Sequence, residues 1–185
     1  MTTRQTTKTH TNVTVKAFPV PSQLATMTDL TQQEVRGITE ALNPLIADLF
    51  ALYVKTKNFH WHLAGSHFRG YHLLFDEHAD QIFATIDILA ERVRRVGGTT
   101  IRSISHIDQL QTIEDDNDDF VPAGEMIRRL IEDNAHLAKT QRAAHDVCAH
   151  SRDVATASLL EIIIDESERR KWFLFEIMQG ASNAD

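Results

Sequence analysis

A single cysteine, Cys148, in 185 residues excludes an internal disulfide and any zinc site built from several thiolates. It falls where a helical apolar pattern can bury it, so its expected role is packing. Long apolar runs are absent too. No stretch of about 18 consecutive apolar residues offers a membrane span, and the opening MTTRQTTKTHTNVTVKAF contains nothing like a signal peptide. The expectation is a soluble, cytoplasmic protein with no membrane partner. Positive charge is in deficit, 19 Lys and Arg against 26 Asp and Glu for a net −7. A nucleic-acid footprint over the whole surface is thereby excluded, because phosphate binding rests on Lys and Arg. Acid is missing from the start of the chain. The first acidic residue is Asp29, and the segment before it holds Arg4, Lys8, Lys16 and His10. This Thr-rich, aperiodic tail is a local patch available for DNA or nucleoid association. With so few fixed charges it reads as a solubilising extension unless many copies act together.

What is present is helical periodicity, in a chain of the length expected for one domain. Thr31-Gln-Gln-Glu34 fits a capping box. Val35, Ile38, Leu42, Leu45, Ile46, Leu49, Leu52 and Tyr53 then recur at helical spacing, predicting a helix to about His62 with a local bend at Pro44. After the short turn at Leu63 to Ser66, a second helix is expected from about His67 to Val96, stopped by Gly97-Gly98. A third begins near Pro122 and runs to about His150, and Asp153 can cap a fourth that continues to Gly180. Between the second and third lie roughly 23 residues, enough to cross a bundle end to end, and 104 to 113 could form a short helix within them. Short, long, short is the loop pattern of a ferritin-like four-helix bundle, an all-α fold with a long crossover between helices 2 and 3. The expected organisation is a flexible tail over 1–30, the bundle over 31–180 and a short tail over 181–185. The acidic run EDDNDD at 114–119 reads as a solvated loop.

Five of the ten histidines fall within residues 58–78. On a wheel of about 100° per residue with His72 at zero, Asp76 falls near ~40°, Asp80 ~80°, Phe83 ~20°, Asp87 ~60° and Glu91 ~100°. One stripe of the second helix therefore carries a histidine and four acids. No Lys or Arg dilutes it between Arg69 and Arg92. Imidazole and carboxylate together suit iron, manganese or zinc, although a solvated acidic face is the competing reading. His72 with Asp76 and Asp87 with Glu91 are two i,i+4 pairs whose centres lie roughly 22 Å apart along the axis. One straight helix cannot bring both to one metal. An antiparallel second copy, related by a two-fold near Gln81 and Ile82, would set each pair against the other and create two identical inter-subunit sites. His60, at the end of the first helix and just across a short turn, can approach His72 from the side.

His60-Trp61, Gly65, Phe68, His72, Asp76, Asp87 and Glu91-Arg92 with Gly97-Gly98 resemble the signature of the Dps family, ferritin-like mini-ferritins known as DNA-binding proteins from starved cells. The resemblance spans roughly 31 to 180. It implies a homo-oligomeric shell of twelve subunits and a ferroxidase that oxidises Fe(II), often preferentially with hydrogen peroxide. It further implies iron storage as ferric mineral and protection against oxidative stress. The iron ligands it implies are His60, His72, Asp76, Asp87 and Glu91, shared between two-fold mates at the dimer interface. Trp61 would lie beside the iron as an oxidisable indole, with packing as its plainer role. A DNA-compacting shell using the basic tails, and a bundle with a structural zinc site and no redox activity, are the competing functions.

His62, His67 and His78 stand outside that ligand set; an exposed helix end, a turn and a different helix face account for them. Asp153, Glu161 and Asp165 share one four-residue ladder that could line an acidic pore or simply face solvent. A di-iron site inside one chain would need carboxylates and Glu-x-x-His motifs on several helices. Asp133-Asn-Ala-His136 is the nearest approach to one, and it has no counterpart on the fourth helix.

Overall fold

The computed structural model describes residues 20–182, with no side chains described from 180 onward. Its helices are α1 (Gln32–His62), α2 (Phe68–Arg95), α3 (Ile104–Leu110), α4 (Ala123–His150) and α5 (Val154–Ser182), preceded by a 3-10 turn at Ser22–Leu24. There is no strand among the described residues.

The helix boundaries follow from local chemistry. The Thr31 hydroxyl accepts from the Glu34 amide at 3.3 Å while the Glu34 carboxylate accepts from the Thr31 amide at 2.7 Å, closing the expected capping box. Ser103 caps α3 through the His106 amide at 3.2 Å, and Asp153 caps α5 through the Thr156 amide at 3.2 Å. Gly97, with φ at +99°, ends α2 in the left-handed region that glycine enters without a Cβ clash. α1 passes through Pro44 as one continuous helix.

α1 packs on α2 and α4, α4 packs on α5, and α3 lies against α1. Between them Ile38, Leu42, Leu49, Leu52, Phe59, Phe75, Ile82, Leu89, Leu130, Leu137, Leu160 and Leu174 form the core. α1 is long and apolar enough by composition to cross a membrane, yet 56% of that apolar window is buried inside the bundle, as in a core helix. Cys148 is fully buried, as expected, and burial pushes its thiol up to about 12, so it packs as an inert apolar group.

The crossover between α2 and α4 is tied down at both ends. At its start Asn43 Nδ2 donates to the Thr99 carbonyl at 2.9 Å. Further along, buried Asp48 accepts from the amides of Thr112 and Ile113 at 2.5 and 3.0 Å and from the Thr112 hydroxyl at 2.8 Å. With that hydroxyl donating to Asp48, His136 Nε2 donates to Thr112 Oγ1 at 2.7 Å. The acidic run that follows is not uniformly solvated. The side chain of Asp116 is only 3% exposed and pairs with Arg129 at 2.6 Å, and Asp118 joins the same guanidinium at 2.8 Å. A half-buried guanidinium, invisible to a composition argument, makes part of the loop an anchor for α4.

Candidate metal centre

The short turn after α1 lets His60 and His72 meet face to face. Their rings stack at 3.7 Å with 19° between planes. His60 Nδ1 donates to the His72 carbonyl at 2.8 Å, and His72 Nδ1 donates to the His60 carbonyl at 3.0 Å. A carbonyl can only accept, so each imidazole carries a proton on Nδ1, and in the neutral ring Nε2 is the ligand atom. That is the tautomer a metal needs, with the partner backbone in the orienting role. Phe68 stacks on the outer face of His72 at 4.9 Å. His60 Nε2 lies 3.8 Å from Asp76 Oδ1, so these three candidate ligands gather at one end of α2.

Lys57, unnoticed in the sequence, completes this cluster. Its Nζ bonds Asp76 Oδ1 at 2.6 Å and sits 5.9 Å from the Trp61 ring. The hydrogen bond from Lys57 holds the Asp76 carboxyl below its usual range. The available signal was positional. Lys57 precedes His60 by three residues and Trp61 by four, so all three share one face of α1. Trp61 is 63% exposed, which removes core packing within one chain as its role.

Asp87 and Glu91 lie elsewhere on the same exposed stripe. Both line an open groove with Ala90, Arg94, Arg95 and Thr100, and Glu91 is paired with Arg95. No group of three His, Cys, Asp or Glu residues able to hold a metal occurs within one chain among the described residues. Midway along the stripe Phe83, in ring contact with Tyr53 at 5.1 Å, is 54% exposed, and Leu73 and Ile88 elsewhere on α2 are also exposed. A solvated acidic face would not place a phenyl ring at its centre.

The remaining candidates sort as follows. His62 is exposed and bonded through Nδ1 to Asn58, and His67 is exposed and stacked on Tyr71. His78 is buried on the inward face. Asp153 does not line a pore. It is buried, caps α5 and accepts from Arg92 at 2.5 Å, because the loop before α5 turns it inward. Glu161, by contrast, is exposed, 3.4 Å from His145. The alternative centre inside the bundle is also closed: Asp133 pairs with Lys55 at 2.7 Å, and His136 is committed to Thr112. Two buried cations, Lys55 and Arg170, occupy the interior.

Comparisons with known proteins agree with this architecture. The profile of the ferritin-like domain family matches residues 39–182. An uncharacterised low temperature-induced protein of Nostoc is 34% identical over 82% of this chain and 85% of its own length. A DNA protection during starvation protein of Brevibacillus brevis is 33% identical over 72% of this chain and 89% of its own. The crystal structure of a Dps protein from Vibrio cholerae, described as a member of a broad superfamily of ferritin-like diiron-carboxylate proteins, superposes with a TM-score of 0.78. It is 25% identical over 83% of this chain and 97% of that one.

Proposed function

Starting from a chain that belongs to the Dps family of ferritin-like proteins, we propose that it oxidises Fe(II), preferentially with hydrogen peroxide, and stores the ferric product inside a shell of its own copies. Iron is the substrate here, and the centre forms only between two chains. One protomer offers the free Nε2 atoms of His60 and His72 with the Asp76 carboxylate. Its two-fold mate offers Asp87 and Glu91. The observation that carries this reading is the split stripe on α2, with a ligand cluster near one end, a carboxylate pair towards the other and exposed Phe83 between them.

Each residue has a task in this scheme. The reciprocal carbonyl bonds fix both imidazoles before iron arrives, so little ordering remains to be done on binding. The carboxylates supply hard oxygen ligands and offset the charge that grows as Fe(II) loses an electron. Two Fe(II) ions each give one electron to one hydrogen peroxide, which takes up two protons and leaves as two waters, and Trp61, its ring 5.9 Å from Lys57 Nζ, is placed to intercept a stray oxidant. The shell is a dodecamer, checked by sedimentation.

Stopped-flow absorbance after mixing apo-protein with Fe(II) and peroxide tests the activity. Protein-dependent oxidation is expected, and its absence would favour a structural zinc site. His72→Ala with Asp76→Ala is expected to slow oxidation at least tenfold; a parental rate in that variant overturns the site. A DNA-compacting shell is the second reading, favoured by the acid-free tail with Arg4, Lys8 and Lys16, which lies outside the described residues. Deleting residues 1–16 and measuring DNA retention at several salt concentrations decides it, since unchanged retention removes the tail from the account.

A further inference from the structure

Arg170 is 1% exposed in the bundle interior. Its Nε donates to Asn134 Oδ1 of α4 at 3.1 Å and its Nη2 to Ser167 Oγ at 2.8 Å, both uncharged acceptors. Its Nη1 is out of reach of solvent and has no acceptor. Glu166, one turn back on α5, acts on this guanidinium only at longer range. On α4, Gln141 is 0% exposed, and neither its Nε2 nor its Oε1 has a partner.

These unmet groups sit on helices that pack against each other. The Asn134–Arg170 bond and the Arg142–Glu168 ion pair set the antiparallel register of α4 on α5, which brings Gln141 opposite the turn that holds Ser167. Side chains on a helix lean towards its N-terminus. Arg170 leans that way onto Ser167, and the same lean carries the Gln141 amide back towards Asn134. His78 of α2 is buried and within electrostatic range of Arg170.

We propose that the bundle interior binds a small monovalent anion, of the size and charge of chloride, between Arg170 Nη1 and Gln141 Nε2. An internal water could meet one unsatisfied hydrogen bond, but it would bring no negative charge into contact with a buried guanidinium that Glu166 answers only at longer range. A single-atom ion asks the least room of a close-packed core.

Crystals of the full chain soaked in bromide, with data at the bromine edge, give one readout, and thermal melting gives the other. The expected result is an anomalous peak within hydrogen-bond distance of Arg170 Nη1. In addition, the melting temperature should be about 4 °C higher in chloride at tenfold its dissociation constant than in gluconate of equal ionic strength. That difference should vanish in Gln141→Leu, which keeps the bundle's volume, and in Arg170→Met if it folds. An ordered water without anomalous signal overturns the proposal. So does a bromide peak with no chloride-dependent melting, which would mark an adventitious ion only.

Discussion

Lys57 and a metal ion compete for the same carboxylate. With Nζ at 2.6 Å from Asp76 Oδ1, the ammonium supplies the positive charge that iron would bring to that oxygen. Removing it by Lys57→Met is expected to tighten binding of a redox-silent divalent ion such as zinc by up to about fivefold in calorimetry, the scale of a half-exposed ion pair. Unchanged affinity would show that Lys57 stands aside from the site. His78 gives a second residue-scale expectation, on the folded state rather than the site. Burial, then Arg170 and Arg169, depress its pKa to about 4 from 6.5. The unfolded chain therefore binds the proton more readily between those values. The associated stability is present above about pH 6.5 and falls away as the pH drops towards 4, by on the order of 3 kcal/mol at most. Urea unfolding at fixed protomer concentration should show a flatter acid limb in His78→Leu than in the parent; identical limbs would contradict the assignment.

Among the elements, the junction of α1 with the end of α2 leaves Gly98 less room than any other described glycine. A Cβ on Gly98 would overlap Thr39 Oγ1 and lie 3.2 Å from the Val93 carbonyl, whereas one on Gly70 would meet nothing. Gly98→Ala is expected to destabilise by about 1–3 kcal/mol and Gly70→Ala to stabilise by about 0.5–1 kcal/mol in the same unfolding assay. Equal effects would refute the contact. The same contrast explains what the sequence made legible. Helix ends were readable because caps are local: Thr31 and Glu34, or Asp153 and Thr156, act within one turn. The apolar periodicities located the core for the same reason. Asp116, Asp153 and Asp76 were misjudged or incompletely read because their partners Arg129, Arg92 and Lys57 lie 13, 61 and 19 residues away and meet them only after packing. The two histidines were legible as candidates. Their reciprocal bonds to each other's carbonyls were not, since these depend on the backbone path of the turn.

At the scale of the whole molecule, α2 carries an exposed apolar and acidic stripe that one chain leaves uncovered. Phe83 marks its centre, and Phe83→Glu is expected to block association through this face. Sedimentation velocity should then show a smaller species with parental helicity, and Fe(II) oxidation should fall at least tenfold. An intact assembly would move the interface elsewhere. The central claim, that each centre draws ligands from two chains, is tested most directly by complementation. His72→Ala/Asp76→Ala subunits and Asp87→Ala/Glu91→Ala subunits, each inactive alone, are unfolded, mixed in equal amounts and refolded together. Half of randomly paired dimers are mixed, and each of those rebuilds one of its two centres, so about a quarter of the parental Fe(II) oxidation rate should return. A mixture as inactive as its components would contradict the shared centre.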